Sequence, residues 1–93
     1  MSRKRYQSVW DAIEDSPEAA ENMKLRSKLM HAIIEHIERE GLSQAEAAKL
    51  MGVTQPRISD LVRGKIDLFS LDMLVNMLSA AGRRVDVRVA KTA

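Results

Sequence analysis

The stretch that decides the fold is Ser43-Gln44-Ala45-Glu46-Ala47-Ala48-Lys49-Leu50-Met51-Gly52-Val53-Thr54-Gln55-Pro56-Arg57-Ile58-Ser59-Asp60-Leu61-Val62-Arg63-Gly64-Lys65. It contains two short helices with punctuation at each end. Ser43 is a natural N-cap, because its hydroxyl oxygen can accept an orphan backbone N–H of the first turn. Ala45, Ala47, Ala48, Leu50 and Met51 favour helix, and Gly52 can take the left-handed conformation that ends one. Thr54 offers a second cap, followed by Pro56 in the first turn, where a missing N–H costs little. The second helix continues through Arg57 to Arg63, and Gly64 can close it. The stretch therefore reads as helix, tight turn, helix.

Spacing restricts what such a pair can be. Ala47, Ala48, Met51 and Val53 in the first half, and Ile58 and Leu61 in the second, must share one small core. Ala48 leaves room for a close crossing, and Gly52 allows a sharp turn. The other face of the second helix carries Gln55, Arg57, Ser59, Asp60 and Arg63, side chains able to bond base edges or phosphates. This is the pattern of a DNA-binding helix-turn-helix, whose second helix lies in the major groove. Gln55, Arg57, Ser59 and Asp60 are the expected base readers: an amide suits adenine, and a guanidinium suits guanine N7 and O6. Ser43, Gln44, Thr54, Arg63, Lys65 and Ser70 are the expected phosphate contacts. Helix N-termini and cationic side chains both favour anions there.

Outward from this motif, the chain of 93 residues is long enough for one domain with a modest core. With 45% hydrophobic but only 3% aromatic residues, it suits an aliphatic helical protein. A net charge of +2 says little about partners. Its distribution says more: Lys49, Arg57, Arg63 and Lys65 face only Glu46 and Asp60 across the motif. There is no cysteine, which fits a reducing compartment. No apolar run approaches the ~20 residues of a membrane span, and the start lacks the apolar core of a signal peptide. A cytoplasmic protein without membrane association is the expectation.

Residues 1–15 are expected to form a partly mobile basic arm and short turn. Ser2-Arg3-Lys4-Arg5 is the arm, and Tyr6, Val9, Trp10 and Ile13 follow it. Three readings stand open: a loosely docked terminus, an arm on phosphates, or an apolar surface for a partner protein. Residues 16–93 form the expected DNA-binding domain. Ser16-Pro17-Glu18 starts a long helix with a capping serine, proline at the first position and acid in the first turn. Met23, Met30, Ile33, Ile34 and Ile37 recur at helical spacing, with Leu25 and Leu29 beside them, and Gly41 is the stop. About 23 residues at ~1.5 Å each make a rod roughly 35 Å long. Either its first half projects toward a partner through Met23, Leu25 and Leu29, or the C-terminal strand or the N-terminal turn covers it.

His31 and His36 lie five apart, about 140° around a helix, which does not suit one metal ion. With no Cys, no nucleophile elbow and no glycine-rich phosphate loop, neither a metal nor another cofactor is expected, and the chain reads as a non-enzyme.

Beyond the motif, Lys65-Ile66-Asp67-Leu68 is expected to be a connecting loop, followed by Phe69. Ser70 caps a helix over Leu71–Ala81, with Leu71, Leu74, Val75 and Leu78 inward, Met73 and Met77 flanking as gap-filling core rather than as a binding surface, and Gly82 as its end. Then the period changes. Val85, Val87 and Val89 alternate with Arg84, Asp86 and Arg88, as in a half-buried strand with no earlier strand to pair with. A second copy of the chain is the expected partner, giving an antiparallel two-fold ribbon through Val85, Asp86, Val87, Arg88 and Val89. An axis through Val87 sets Asp86 opposite Arg88 and Val85 opposite Val89. An axis through Asp86 would oppose like charges, so the Val87 register is favoured. The fold class is thus mainly α: a four- to five-helix bundle with a C-terminal β-strand that pairs across a homodimer. A two-fold dimer calls for a palindromic double-stranded operator.

The Ser43–Lys65 stretch resembles the repressor-like helix-turn-helix of the phage repressor (XRE) superfamily at every core position. Glu21-Asn22, Leu25-Arg26, Gly41 to Ala48, Gln55 to Leu61, Phe69-Ser70-Leu71-Asp72 and the closing segment are similar to the small HigA-type antitoxins, over roughly residues 9–90. That resemblance implies a dimeric repressor of its own operon that also neutralises a RelE/HigB-like ribosome-dependent mRNase toxin. No toxin-contacting residue is carried over. The alternative is a stand-alone XRE-family repressor without a toxin partner.

Overall fold

A computed structural model describes residues 17–91 of the chain. The basic arm, Tyr6, Val9, Trp10, Ile13 and the capping role of Ser16 lie outside the described residues. Four α-helices follow in order: α1 Pro17–Glu40, α2 Gln44–Met51, α3 Gln55–Val62 and α4 Leu71–Ala80, with a 3-10 turn at Ile66–Leu68 between the last two. Helix α1 packs against α4, α3 and the 3-10 turn, while α2 packs against α3 and α4.

The helix boundaries follow local chemistry. Ser43 and Glu46 form a reciprocal capping box: the Ser43 hydroxyl accepts from the Glu46 N–H at 3.1 Å, and Glu46 Oε1 accepts from the Ser43 N–H at 2.8 Å. Thr54 Oγ1 accepts from the Arg57 N–H at 3.3 Å, and Ser70 Oγ from the Met73 N–H at 3.2 Å. Gly52 (φ +72°) and Gly64 (φ +77°) bracket the second motif helix in the left-handed conformation. At each, the next N–H reaches five residues back: Val53 to the Ala48 carbonyl and Lys65 to the Asp60 carbonyl, both at 3.0 Å. These bonds satisfy carbonyls that the helix end would otherwise orphan.

One core unites the elements. Leu29, Met30, Ile33 and Ile37 of α1 meet Ala47, Ala48 and Met51 of α2, Ile58 and Leu61 of α3, and Leu74, Met77 and Leu78 of α4. Val53, Leu42 and Met23 pack half-buried against this cluster. Leu29 and Met23 are thereby covered within the chain rather than projecting away from it.

Three expectations change. The 65–69 segment is not merely a loop: Ile66 is buried, and Phe69 is only 1% exposed. On α4, Val75 is 38% exposed rather than inward, while Met77, expected to flank the stripe as gap-filling core, is buried at its centre. Leu74, Met77, Leu78 and the half-buried Leu71 form the inward stripe, which leaves Val75 outside it. Finally, the expected strand does not form within the single chain. Residues 83–91 carry no strand, and of Val85, Asp86, Val87, Arg88 and Val89 only Val85 packs on the core. A strand is defined by backbone bonds to a neighbour, and no neighbouring strand exists among the described residues.

Candidate nucleic-acid interface

Helix α3 turns Ile58 and Leu61 fully inward, which commits the remaining positions to the surface. Gln55 is exposed at its start, immediately after the Thr54 cap. Ser59 and Asp60 are half-buried, and Arg63 is exposed at the C-cap. Asp60 is not free: its Oδ1 lies 3.8 Å from Lys65 Nζ. The expected base reader Asp60 and the expected phosphate contact Lys65 are therefore paired with each other in the free chain. Such a surface pair is worth about 0–1 kcal/mol, little enough to be exchanged for a phosphate.

Arg57 is held more closely. Its guanidinium carbon lies 5.6 Å from the centroid of the Phe69 ring, and Nη1 donates to the Leu68 carbonyl at 3.4 Å. Among the described residues nothing bonds Nε or Nη2. These two nitrogens form the side-on edge of the guanidinium, which can donate two parallel hydrogen bonds. Arg57 is thus stacked and tethered while retaining an edge that suits guanine N7 and O6.

The expected phosphate contacts gather at element ends. Gln44 is exposed at the first position of α2, next to the Ser43 cap, with Thr54 and Ser70 in the same capping role on α3 and α4. Each cap hydroxyl uses its oxygen to accept a backbone N–H, so its own proton is still available to an outside acceptor. Two residues that the sequence reading left without a role join the site. Phe69 carries Arg57, and Arg26 of α1 reaches the 3-10 turn, donating through Nη1 to the Ile66 and Phe69 carbonyls at 3.3 Å each. For Phe69 a signal was present. It directly precedes the Ser70 cap, five residues ahead of the buried Leu74, and these are the two positions that a hydrophobic staple joins. For Arg26 none was, since its partners lie 40 and 43 residues away.

A profile described as a helix-turn-helix domain matches residues 12–90. A solved structure provisionally named an XRE family transcriptional regulator superposes with a TM-score of 0.72 at 34% identity, covering 78% of this chain and 82% of that one. The chain belongs to the XRE helix-turn-helix family. No curated protein matches it. In this XRE chain the two motif helices are α2 and α3. Among the described residues no three His, Asp or Glu side chains assemble as metal ligands, and no helix is long and apolar enough to cross a membrane.

Proposed function

We propose that this XRE-family chain is a sequence-specific DNA-binding transcriptional regulator, acting as a homodimer on a palindromic operator. The observation that carries this reading is the outer side of α3. Gln55 is free at its start, and Arg57 is stacked with its bidentate edge available, on a helix whose other side is locked into the core. Electrophoretic mobility or anisotropy titration against single-base variants of the operator tests it. Arg57→Ala or Gln55→Ala should cost about 1–3 kcal/mol and relax preference at one base pair per half-site. If Arg57→Ala weakens all sequences equally, Arg57 contacts phosphate and the assignment fails.

The dimer forms through residues 85–89. Val87 is 67% and Val89 91% exposed, apolar positions that a second copy would cover. The Arg84–Asp86 ion pair at 3.3 Å joins side chains two apart, which share a face in extended backbone. Pairing about Val87 sets Asp86 against Arg88 and spaces the two α3 helices near one DNA turn, ~34 Å. Deleting residues 84–93 should give monomers in sedimentation and greatly weakened operator binding. A truncated chain that remains a tight dimer would assign the interface to the helices.

Within this class, the resemblance to HigA-type antitoxins supports a repressor that also neutralises a RelE/HigB-like toxin. The stand-alone regulator is supported by the solved relative, which is named as a transcriptional regulator alone. Co-expression with the adjacent gene product and pull-down separates the two. A stoichiometric complex that silences the partner's RNase activity selects the antitoxin, and no complex selects the stand-alone regulator.

A further inference from the structure

We propose that Arg26 on α1 is a positioning residue for Arg57 on α3, acting through the backbone of residues 66–69. The proposal rests on the reading of α3 as the base-reading helix. Arg26 Nη1 donates to two carbonyls, Ile66 at the start of the turn and Phe69 immediately after it. Between and upon these same residues sits Arg57: its Nη1 bonds the Leu68 carbonyl, and its guanidinium lies over the Phe69 ring. One arginine grips the backbone that carries the resting place of the other.

The two carbonyls differ in what else they have. Ile66 O also accepts the Phe69 N–H at 3.1 Å, so the turn has a bond of its own. Only Arg26 is bonded to Phe69 O among the described residues. Removing Arg26 frees the peptide plane between Phe69 and Ser70, and with it the angle at which the Phe69 ring meets Arg57. Packing alone does not account for an arginine here. Its guanidinium is partly buried, its Nε is buried without a hydrogen-bond partner, and no carboxylate pairs with it among the described residues. An apolar side chain would fill the space without a charge to desolvate. What the guanidinium adds is a planar donor group able to hold two carbonyls at a fixed separation.

The test reads Arg57 directly. The aromatic ring should displace the Arg57 side-chain proton resonances in NMR spectra of the full chain, and Phe69→Leu calibrates the loss of that displacement. Arg26→Met is expected to move the Arg57 resonances most of the way to their Phe69→Leu positions while the helical circular dichroism is retained. Should Arg26→Met fail to fold, Arg26→Gln serves, since its shorter side chain does not carry the amide nitrogen out to where Nη1 meets both carbonyls; a partial move in the same direction is expected. Unchanged Arg57 resonances in the folded variant would overturn the proposal. In operator competition, Arg26→Met and Arg57→Ala are expected to lose selectivity at the same base pair, roughly tenfold, with no further loss there in the double variant. A uniform loss of affinity in Arg26→Met, with base preference intact, would make Arg26 merely structural and also overturn it. If Arg57→Ala itself leaves base preference unchanged, the base-reading assignment falls, and the resonance displacement still decides whether Arg26 positions Arg57.

Discussion

Phe69→Ala tests whether the segment after the recognition helix belongs to the core. Phe69 is 1% exposed and shares a cluster with Ile58, Leu61 and Leu74, each fully buried. Truncating a buried Phe to Ala costs about 3–5 kcal/mol, from lost transfer energy and the cavity left behind. The stacked Arg57 adds about 0.5–1 kcal/mol for its cation–π contact. A domain of this length has a total stability of roughly 5–14 kcal/mol, so the change removes a large share of it. At about 4–8 °C per kcal/mol for a domain of this size, the melting temperature should fall by roughly 14–48 °C. Thermal unfolding followed at 222 nm, with and without low denaturant, measures this. A Phe in a solvent loop would change stability by only about 0.5 kcal/mol. A fall smaller than ~5 °C would therefore refute the placement of the ring in the core, and with it the platform beneath Arg57.

Lys65→Ala should leave stability within about 0.5 kcal/mol, because its pair with Asp60 is long and partly solvated. It should also lower operator affinity for every sequence and flatten the salt dependence by about 0.9; an unchanged slope in a salt titration removes Lys65 from the interface. Gly52→Ala meets no atom within 4 Å, so its cost is backbone alone, about 1–2 kcal/mol in a chemical denaturation curve. A neutral result would mean that the turn can adopt another conformation. Met77→Ala should cost about 2–5 kcal/mol, while Val75→Ala should stay below about 1 kcal/mol by the same assay. The opposite ranking would restore the inward face first read for α4.

What was legible in the sequence was what is decided within one helical turn. Ser43, Thr54 and Ser70 cap, and Gly52 and Gly64 stop, because a cap bond spans three residues and a stop bond spans five. The core of α2 and α3 was legible for a related reason: six apolar positions over two short helices and the turn between them allow few ways to meet. The 3-10 turn was not, since three residues carry no periodicity to read. Val75 was taken as inward because α4 is apolar around much of its circumference, and the side that faces inward is fixed by α1 and α2 rather than by α4 itself. At the site, Gln55, Arg57 and Ser59 could be assigned to the outer face, but the tether of Arg57 to Leu68 and Phe69 depends on where the chain returns after Gly64. Arg26 lay furthest from reach, its role set by two carbonyls distant in sequence.

The grip of Arg26 on the turn also has a consequence in time. Capping bonds and the α2–α3 crossing join residues within about one hairpin of each other, so they close small loops and can form early on the folding path. The bonds from Arg26 to Ile66 and Phe69 close loops of 40 and 43 residues, which costs more chain entropy before any contact repays it. The recognition helix, closed by its own short-range caps, can therefore form before the bonds from Arg26 to the turn that follows it.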